Sequence, residues 1–174
     1  MHRLTSFRGI KSPYSRRILA AVLNKDPLAI YSSTPVRLRR LVLGLSERQL
    51  RRAPAKGKWS IVQIVSHLCD AELAMSFRIR MAVAQPGSKL QAYDQEKWAV
   101  RLRYGKSDCR EKLHLFSALR KANVSLLKSL KPAEWKRFGI HEERGKETVD
   151  RMIQMLAGHD INHLEQVERM RKSF

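Results

Sequence analysis

An all-α four-helix bundle is the fold this sequence predicts, and three observations carry the prediction. Four long stretches repeat apolar residues at intervals of three and four, the period of a helix with one buried face. Their ends are marked by capping residues and by Pro or Gly stops. No stretch alternates apolar and polar residues convincingly over the length of a strand. With 174 residues, 43% of them hydrophobic, the chain is sized for one ordinary domain with a real core.

The elements follow in order. Residues 1–25 read as a basic lead-in holding one short amphipathic piece at 15–24, and residues 26–174 read as a single domain. Patterning stays poor as far as residue 33. The first bundle helix is then expected at Thr34-Pro35, with Thr34 as N-cap and Pro35 in the first helical position. Val36, Leu38, Leu41, Val42 and Leu45 give it an apolar face. Residues 53–58 are a loop. Ser60 and Gln63 form a capping box for the second helix, with Trp59 stapling its start. That helix runs to about Val83, where Gln85-Pro86-Gly87 stops it.

A long connection follows over residues 86–107, with Tyr93, Asp94, Trp98 and Tyr104 in it and a short helix expected around 95–103. A connection of that length inside a compact domain is often functional. The third helix begins at Asp108, where Glu111 would complete a second capping box. Leu113, Phe116, Leu119, Val124, Leu127 and Leu130 carry it to Lys131-Pro132. A glycine-containing connection leads to the fourth helix, expected over 147–171.

The net charge is +19, and it is uneven. Residues 1–58 hold fourteen Lys/Arg against two acids, a net of +12, which leaves +7 for the remainder. Such a field attracts nucleic acid, an anionic membrane or an acidic partner, but no base-stacking aromatics or recognition helix accompany it. A solvated basic surface is therefore the favoured reading. No apolar run approaches the 18 residues of a transmembrane helix. The apolar run at 18–23, behind Arg16 and Arg17, is too short for a signal core and lacks a small-residue cleavage site. Cys69 and Cys109 cannot build a disulfide framework, and free thiols fit a reducing cytoplasm.

The chemistry lies in the fourth helix. Val149, Met152, Leu156, His159, His163 and then Gln166 or Val167 recur at intervals of three and four, as one core-facing stripe. Two histidines stand where that stripe calls for Leu or Ile. At i and i+4 they stack on one face, the spacing with which a helix presents two imidazoles to one metal. Both charged, they would repel; both neutral and buried, they would need partners. A metal satisfies both. His67, midway along the second helix in line with Ile64, Ala71 and Ala74, is the best third ligand, ahead of His114 and His141. Three neutral nitrogens and an open fourth position describe a catalytic rather than a structural site. Cys69 projects about 200° around the helix from His67 and should not reach the same ion. Asp160 stands where the H-E-x-x-H peptidase motif has its glutamate, and its side chain is shorter, so a peptidase fits poorly. Asp70, Glu72 and Asp160 are either outer-layer acceptors for the ligands or helix-surface charges.

The sequence resembles the DinB superfamily, more closely its YfiT-like branch of metal-dependent hydrolases and thiol transferases. The resemblance rests on Lys58-Trp59-Ser60-Ile61 leading into His67-Leu68-Cys69-Asp70-Ala71-Glu72, on Tyr93-Asp94-Gln95 with Trp98, on His141-Glu142-Glu143-Arg144-Gly145, and on Gly158-His159-Asp160-Ile161-Asn162-His163-Leu164. It extends from about Asp26 to the C-terminus. It implies a four-helix bundle with one divalent metal, zinc or nickel, on His67, His159 and His163. It also implies a bacterial protein, frequently a homodimer, some of whose relatives conjugate low-molecular-weight thiols such as bacillithiol or mycothiol to electrophiles.

Two functions stay open at this level. In the first, the metal activates water or a small thiol for attack on an electrophile lodged near the long connection, with Tyr93, Trp98 and Arg144 as candidate pocket residues. Their alternative role is packing for the aromatics and a surface charge for Arg144. No catalytic residue beyond the ligands is identified. In the second, a non-catalytic metal-stabilised bundle binds a partner such as nucleic acid through its basic surface.

Overall fold

The computed structural model describes residues 3–7, 10 and 12–174; of the lead-in, residues 1, 2, 8, 9 and 11 lie outside this description. In chain order the elements are α1 (Pro13–Ala20), α2 (Pro27–Val42), α3 (Glu47–Arg51), α4 (Ile61–Ala84), β1 (Lys89–Leu90), α5 (Gln95–Arg101), α6 (Cys109–Ser129), β2 (Phe138–His141), β3 (Gly145–Thr148) and α7 (Val149–Lys172). Single 3-10 turns at Tyr104–Lys106 and Glu134–Lys136 complete the set. The four long helices α2, α4, α6 and α7 form the bundle. Helix α2 packs on α7 and α6, and α4 packs on α6 and α7, so α2 faces α4 across one diagonal. No helix among the described residues is long and apolar enough to cross a membrane.

Three differences from the sequence reading have local causes. Helix α2 starts seven residues before Thr34. Asp26 caps it, its Oδ1 accepting from the N–H groups of Leu28 and Ala29 at 2.9 and 3.1 Å, with Pro27 in the first turn. Pro35 is therefore inside the helix. A proline there removes the hydrogen bond to the carbonyl four residues back, that of Tyr31. That carbonyl accepts from the Arg120 guanidinium instead, so it is not stranded. Second, a small sheet of order β1-β2-β3 is present, parallel between β1 and β2 and antiparallel between β2 and β3. Strands of two and four residues are too short to show a period, and β1 finds its partner some fifty positions away (Lys89 opposite Ile140). Third, Asp108 caps α6 at Arg110 and Glu111, and α7 begins at Val149 behind the Thr148 cap, which leaves Glu147 in a strand. The Ser60–Gln63 pairing at the head of α4 is present, with the Ser60 N–H donating to Gln63 Oε1 at 2.9 Å.

The apolar core has two layers with a polar belt between them. One layer gathers Leu38, Ile61, Val65, Leu68, Phe116, Leu164 and Val167. The other gathers Tyr31, Met75, Ile79, Leu127, Met152, Ile153 and Leu156. Between them every bundle helix buries polar side chains: Thr34, then Asp70 and Glu72, then Arg120 and Asn123, then Asp160. The lead-in is docked as well. Ile18, Leu19 and Val22 are buried, and Leu19 and Val22 cluster with Ala157.

Gly158 makes the docking of α1 possible. A Cβ at that position would sit 2.2 Å from the Ile18 carbonyl oxygen, a backbone atom with little freedom to retreat. Alanine improves helix propensity by about 1 kcal/mol, but overpacking against backbone costs ~1–3 kcal/mol. Gly158→Ala is expected to lower stability by a net ~1 kcal/mol or more in urea denaturation and to raise proteolysis within residues 13–25. Unchanged stability and cleavage would show that α1 does not rest there.

Candidate metal centre

His67 lies midway along α4, and His159 and His163 one turn apart on α7. Where α4 crosses α7, their rings converge. The Nε2 atoms of His67 and His159 are 2.9 Å apart, and those of His159 and His163 are 3.1 Å apart. One ring nitrogen from each of the three lies within 4.8 Å of the others, and this trio is the metal-ligand cluster found among the described residues. His67 and His163 are 1% and 8% exposed, and His159 is half-buried.

Valence decides what such a cluster wants. An imidazole nitrogen carries either a hydrogen or a lone pair, never both. His159 Nε2 therefore has a single hydrogen or a single lone pair to offer to two neighbouring Nε2 atoms, and it cannot make a well-directed hydrogen bond to both. Gln166 Oε1, 2.8 Å from His163 Nδ1, selects the tautomer with hydrogen on Nδ1 and aims the Nε2 lone pair inward. The Nδ1 atoms of His67 and His159 are buried without a hydrogen-bond partner. A central cation takes all three lone pairs at once. Tetrahedral ligation with metal–nitrogen bonds of 2.0–2.1 Å would spread the nitrogens to about 3.3 Å, a small adjustment. The donor set thus fits a divalent metal that accepts imidazole.

The protonation states agree. Burial drives the His67 imidazole down to about 3, with His163 adding to it. Burial lowers His163 to about 4 against the opposing Gln166 bond, and it lowers His159 well below the usual range, helped by His163, His67 and Arg120. All three rings are neutral at pH 7, the state ligation needs. Stability then depends on pH in one direction. Above the unfolded value near 6.5 both folded and unfolded histidines are neutral. As pH falls below it the unfolded chain takes up protons that folded His67 and His163 refuse, so stability is lost downward from pH 6.5. At pH 5 each of these two imidazoles costs ~2 kcal/mol. Urea denaturation of metal-free protein at pH 7.5 and pH 5 checks this; equal stabilities would mean the rings protonate freely in the fold.

The carboxylates are arranged differently from either sequence expectation. Glu72 and Asp160 are each 1% exposed, so they are not surface charges, and they hold Arg120 rather than the histidines. Arg120 Nη1 donates to Asp160 Oδ2 at 2.7 Å, and its Nη2 lies 3.0 Å from Glu72 Oε2. Tyr31 and Asn123 also donate to Glu72, and the Tyr31 ring covers the guanidinium 3.6 Å from its centroid. Burial would discharge Arg120, but Asp160 and Glu72 keep it above its ordinary value. Asp70 pairs with Lys112 at 3.1 Å. The reason is angular: Asp160 is about 100° around α7 from His159, so one faces the bundle interior while the other faces α4. The core stripe of α7 accordingly runs through Asp160 and Leu164, with the histidines on its flank.

Two clefts meet at the cluster. One, of about 270 Å³, is lined by His67 and His159 with Met75, Arg78, Tyr93, His141, Arg144 and Glu147. The other, of about 790 Å³, reaches His163 and Gln166 past Trp59, Arg52, Lys58 and Arg169. Tyr14 and Gln95 line both. Of the candidate pocket residues, Tyr93 and Arg144 line the smaller cleft, and Trp98 stacks on Tyr93 at 4.2 Å. Arg144 is not a loose surface charge: it grips buried Glu147 at 2.6 and 2.9 Å. His141 is buried in β2 beside that cleft but outside the trio, and His114 is exposed. Cys69 is fully buried, its thiol pushed up to about 11 by burial. Sequence reasoning did not assign roles to Gln166, Tyr14 or Glu147. Only Gln166 had a usable signal, an amide three residues after a ligand histidine.

A family model described as the DinB superfamily matches residues 30–167. A protein named "putative metal-dependent hydrolase" from Oceanobacillus iheyensis is 28% identical over 138 residues, covering 79% of this chain and 80% of that protein. One of the same name from Bacillus mycoides is 28% identical over 138 residues, covering 79% of each. Among solved structures, YfiT from Bacillus subtilis, described as "a probable metal-dependent hydrolase with an unusual four-helix bundle topology", superposes with a TM-score of 0.79 at 18% identity. That match covers 98% of this chain and 93% of YfiT, and at such identity the likeness is one of fold.

Proposed function

The chain belongs to the DinB superfamily, and from that premise we propose that it is a metal-dependent enzyme whose divalent cation is held by His67, His159 and His163. The observation that carries the reading is the convergence of three neutral imidazole nitrogens, the middle one facing two neighbours with a single hydrogen or lone pair to offer. The names of its relatives point the same way.

The residues divide the work. The three imidazoles would hold the cation, a donor number typical of catalytic rather than structural sites. When bound, the cation supplies Lewis acidity, which lowers the pKa of a water or a thiol into the neutral range. Gln166 fixes the tautomer and orientation of His163. Burial limits the access of bulk water to His67 and His163, which are 1% and 8% exposed. Met75, Met152, Met155 and Leu156 give the smaller cleft an apolar floor for the electrophile, with Tyr93 and Arg144 at its wall. Zinc or nickel is the proposed metal, since imidazole suits both. A water nucleophile makes the enzyme a hydrolase; a low-molecular-weight thiol makes it a transferase.

Elemental analysis of protein purified without a polyhistidine tag is expected to find about one zinc or nickel per chain. Turnover of an ester panel, or of small thiols with electrophiles, should vanish with chelator and return with metal. Substoichiometric metal, or turnover indifferent to chelation, would overturn the proposal.

A further inference from the structure

We propose that the larger cleft is an anion subsite, taking a small organic substrate that carries a carboxylate or phosphate and placing it beside His163. The inference rests on the metal-dependent reading above and adds the chemical class of the substrate.

The cleft presents Arg17, Arg52, Lys58 and Arg169 against a single acidic residue, Glu96. Three of these cations have no carboxylate partner among the described residues, and the fourth has only a distant one. Arg17 lies over the Tyr14 ring at 5.6 Å and Arg52 over the Phe174 ring at 5.9 Å, and neither has a carboxylate partner among the described residues. Lys58 has none either. Arg169 approaches only Glu165, at 4.0 Å on the solvent side. Aromatic stacking holds a guanidinium in place without neutralising it, which leaves its donors for a ligand.

The smaller cleft is the internal control. Its two arginines are spent on the protein, Arg144 on Glu147 and Arg78 on the Gln91 carbonyl, and Glu143 and Glu147 line it too. Of the two clefts the larger therefore carries the positive excess, four cations against one acidic residue. A concave volume of about 790 Å³ suits a small molecule, and Asn162 and Gln166 add neutral donors near its inner end. Convergent cations focus the potential there and raise the local concentration of an anion.

The probes are succinate and phenyl phosphate, with succinamide and benzyl alcohol as uncharged counterparts, titrated against full-length protein with and without metal. Trp59, which lines the cleft, reports by fluorescence, with Trp59→Phe as the blank. One variant carries Arg52→Gln, Lys58→Gln and Arg169→Gln. A charge-matched control carries Lys121→Gln, Lys128→Gln and Lys131→Gln, exposed positions away from both clefts. The anions are expected to bind better than their counterparts, and the cleft variant to lose roughly tenfold in affinity while the control changes less than about twofold. Equal losses in both variants, or equal binding of charged and uncharged probes, would overturn the subsite. Duplex DNA that binds more tightly than either probe, and only with the cleft intact, would overturn the small-molecule assignment. Metal content separates this from the underlying reading: wild type that binds the anions but no metal loses the enzyme proposal and keeps the subsite.

Discussion

His159→Ala is expected to empty the metal centre, with metal content falling from about one per chain to background. His159 is the middle ring of the three, the one whose Nε2 approaches both others. Without it, His67 and His163 face each other across a gap with two nitrogens, too few for a tight site. A four-ligand zinc site is worth ~10–16 kcal/mol in small domains, so one ligand carries ~2.5–4 kcal/mol, and affinity should drop by roughly a hundredfold to a thousandfold. The second half of the expectation concerns the metal-free proteins. There His159 shares one Nε2 between two neighbours and leaves its buried Nδ1 without a partner, so the alanine variant should be as stable as metal-free wild type, within about 1 kcal/mol. Competition with a chromogenic chelator measures the first effect and urea denaturation without metal the second. Retained stoichiometric metal would remove His159 from the ligand set.

Arg120→Met is expected to destabilise the protein severely. Arg120 is 2% exposed and faces Asp160 and Glu72, which are each 1% exposed. Removing it leaves two carboxylates buried without a counter-charge, and burial already pushes the Asp160 carboxyl upward. It also strands the Tyr31 carbonyl, which Pro35 has deprived of its helical partner. Breaking a buried ion pair from one side costs ~3–5 kcal/mol, which lowers the melting temperature of a chain this size by roughly 10–15 °C. The recovery arm is specific. In the Arg120→Met background, Glu72→Gln with Asp160→Asn should regain much of the loss, because neutral amides remove the uncompensated charge. A loss below about 1 kcal/mol, or no recovery, would mean that the guanidinium is not holding the belt together.

Much of the fold could be read from residues close together in the chain. The start of α4 at Ser60, the start of α6 at Asp108 and the short helix at Gln95 depend on side chains bonding to backbone within three residues, so their signals are local. The same locality misled at Thr34-Pro35, which carries a helix-start signature inside a helix. Asp26-Pro27 carries that signature too, and the choice between them depends on whether a distant arginine can serve the Tyr31 carbonyl. The belt was half-legible. In α6, Phe116, Arg120, Asn123 and Leu127 recur at helical spacing and are all buried, but the pattern does not say what a charged member of such a stripe meets.

The order of the four long helices, the starts of α4 and α6, and the stacking of His159 over His163 follow from chain-local physics: a 3.6-residue turn, capping bonds, and an apolar face that must leave water. The meeting of His67 with that pair follows from how α4 crosses α7. So does the assignment of Asp160 and Glu72 to Arg120 and of Gln166 to His163, and so does the pairing of β1 with β2. In each case the partners are brought together by packing across the bundle, and a shift of about 100° around one helix axis exchanges a ligand for a core residue. Short-range periodicity specifies which face a side chain occupies; close packing of whole helices specifies what waits opposite it.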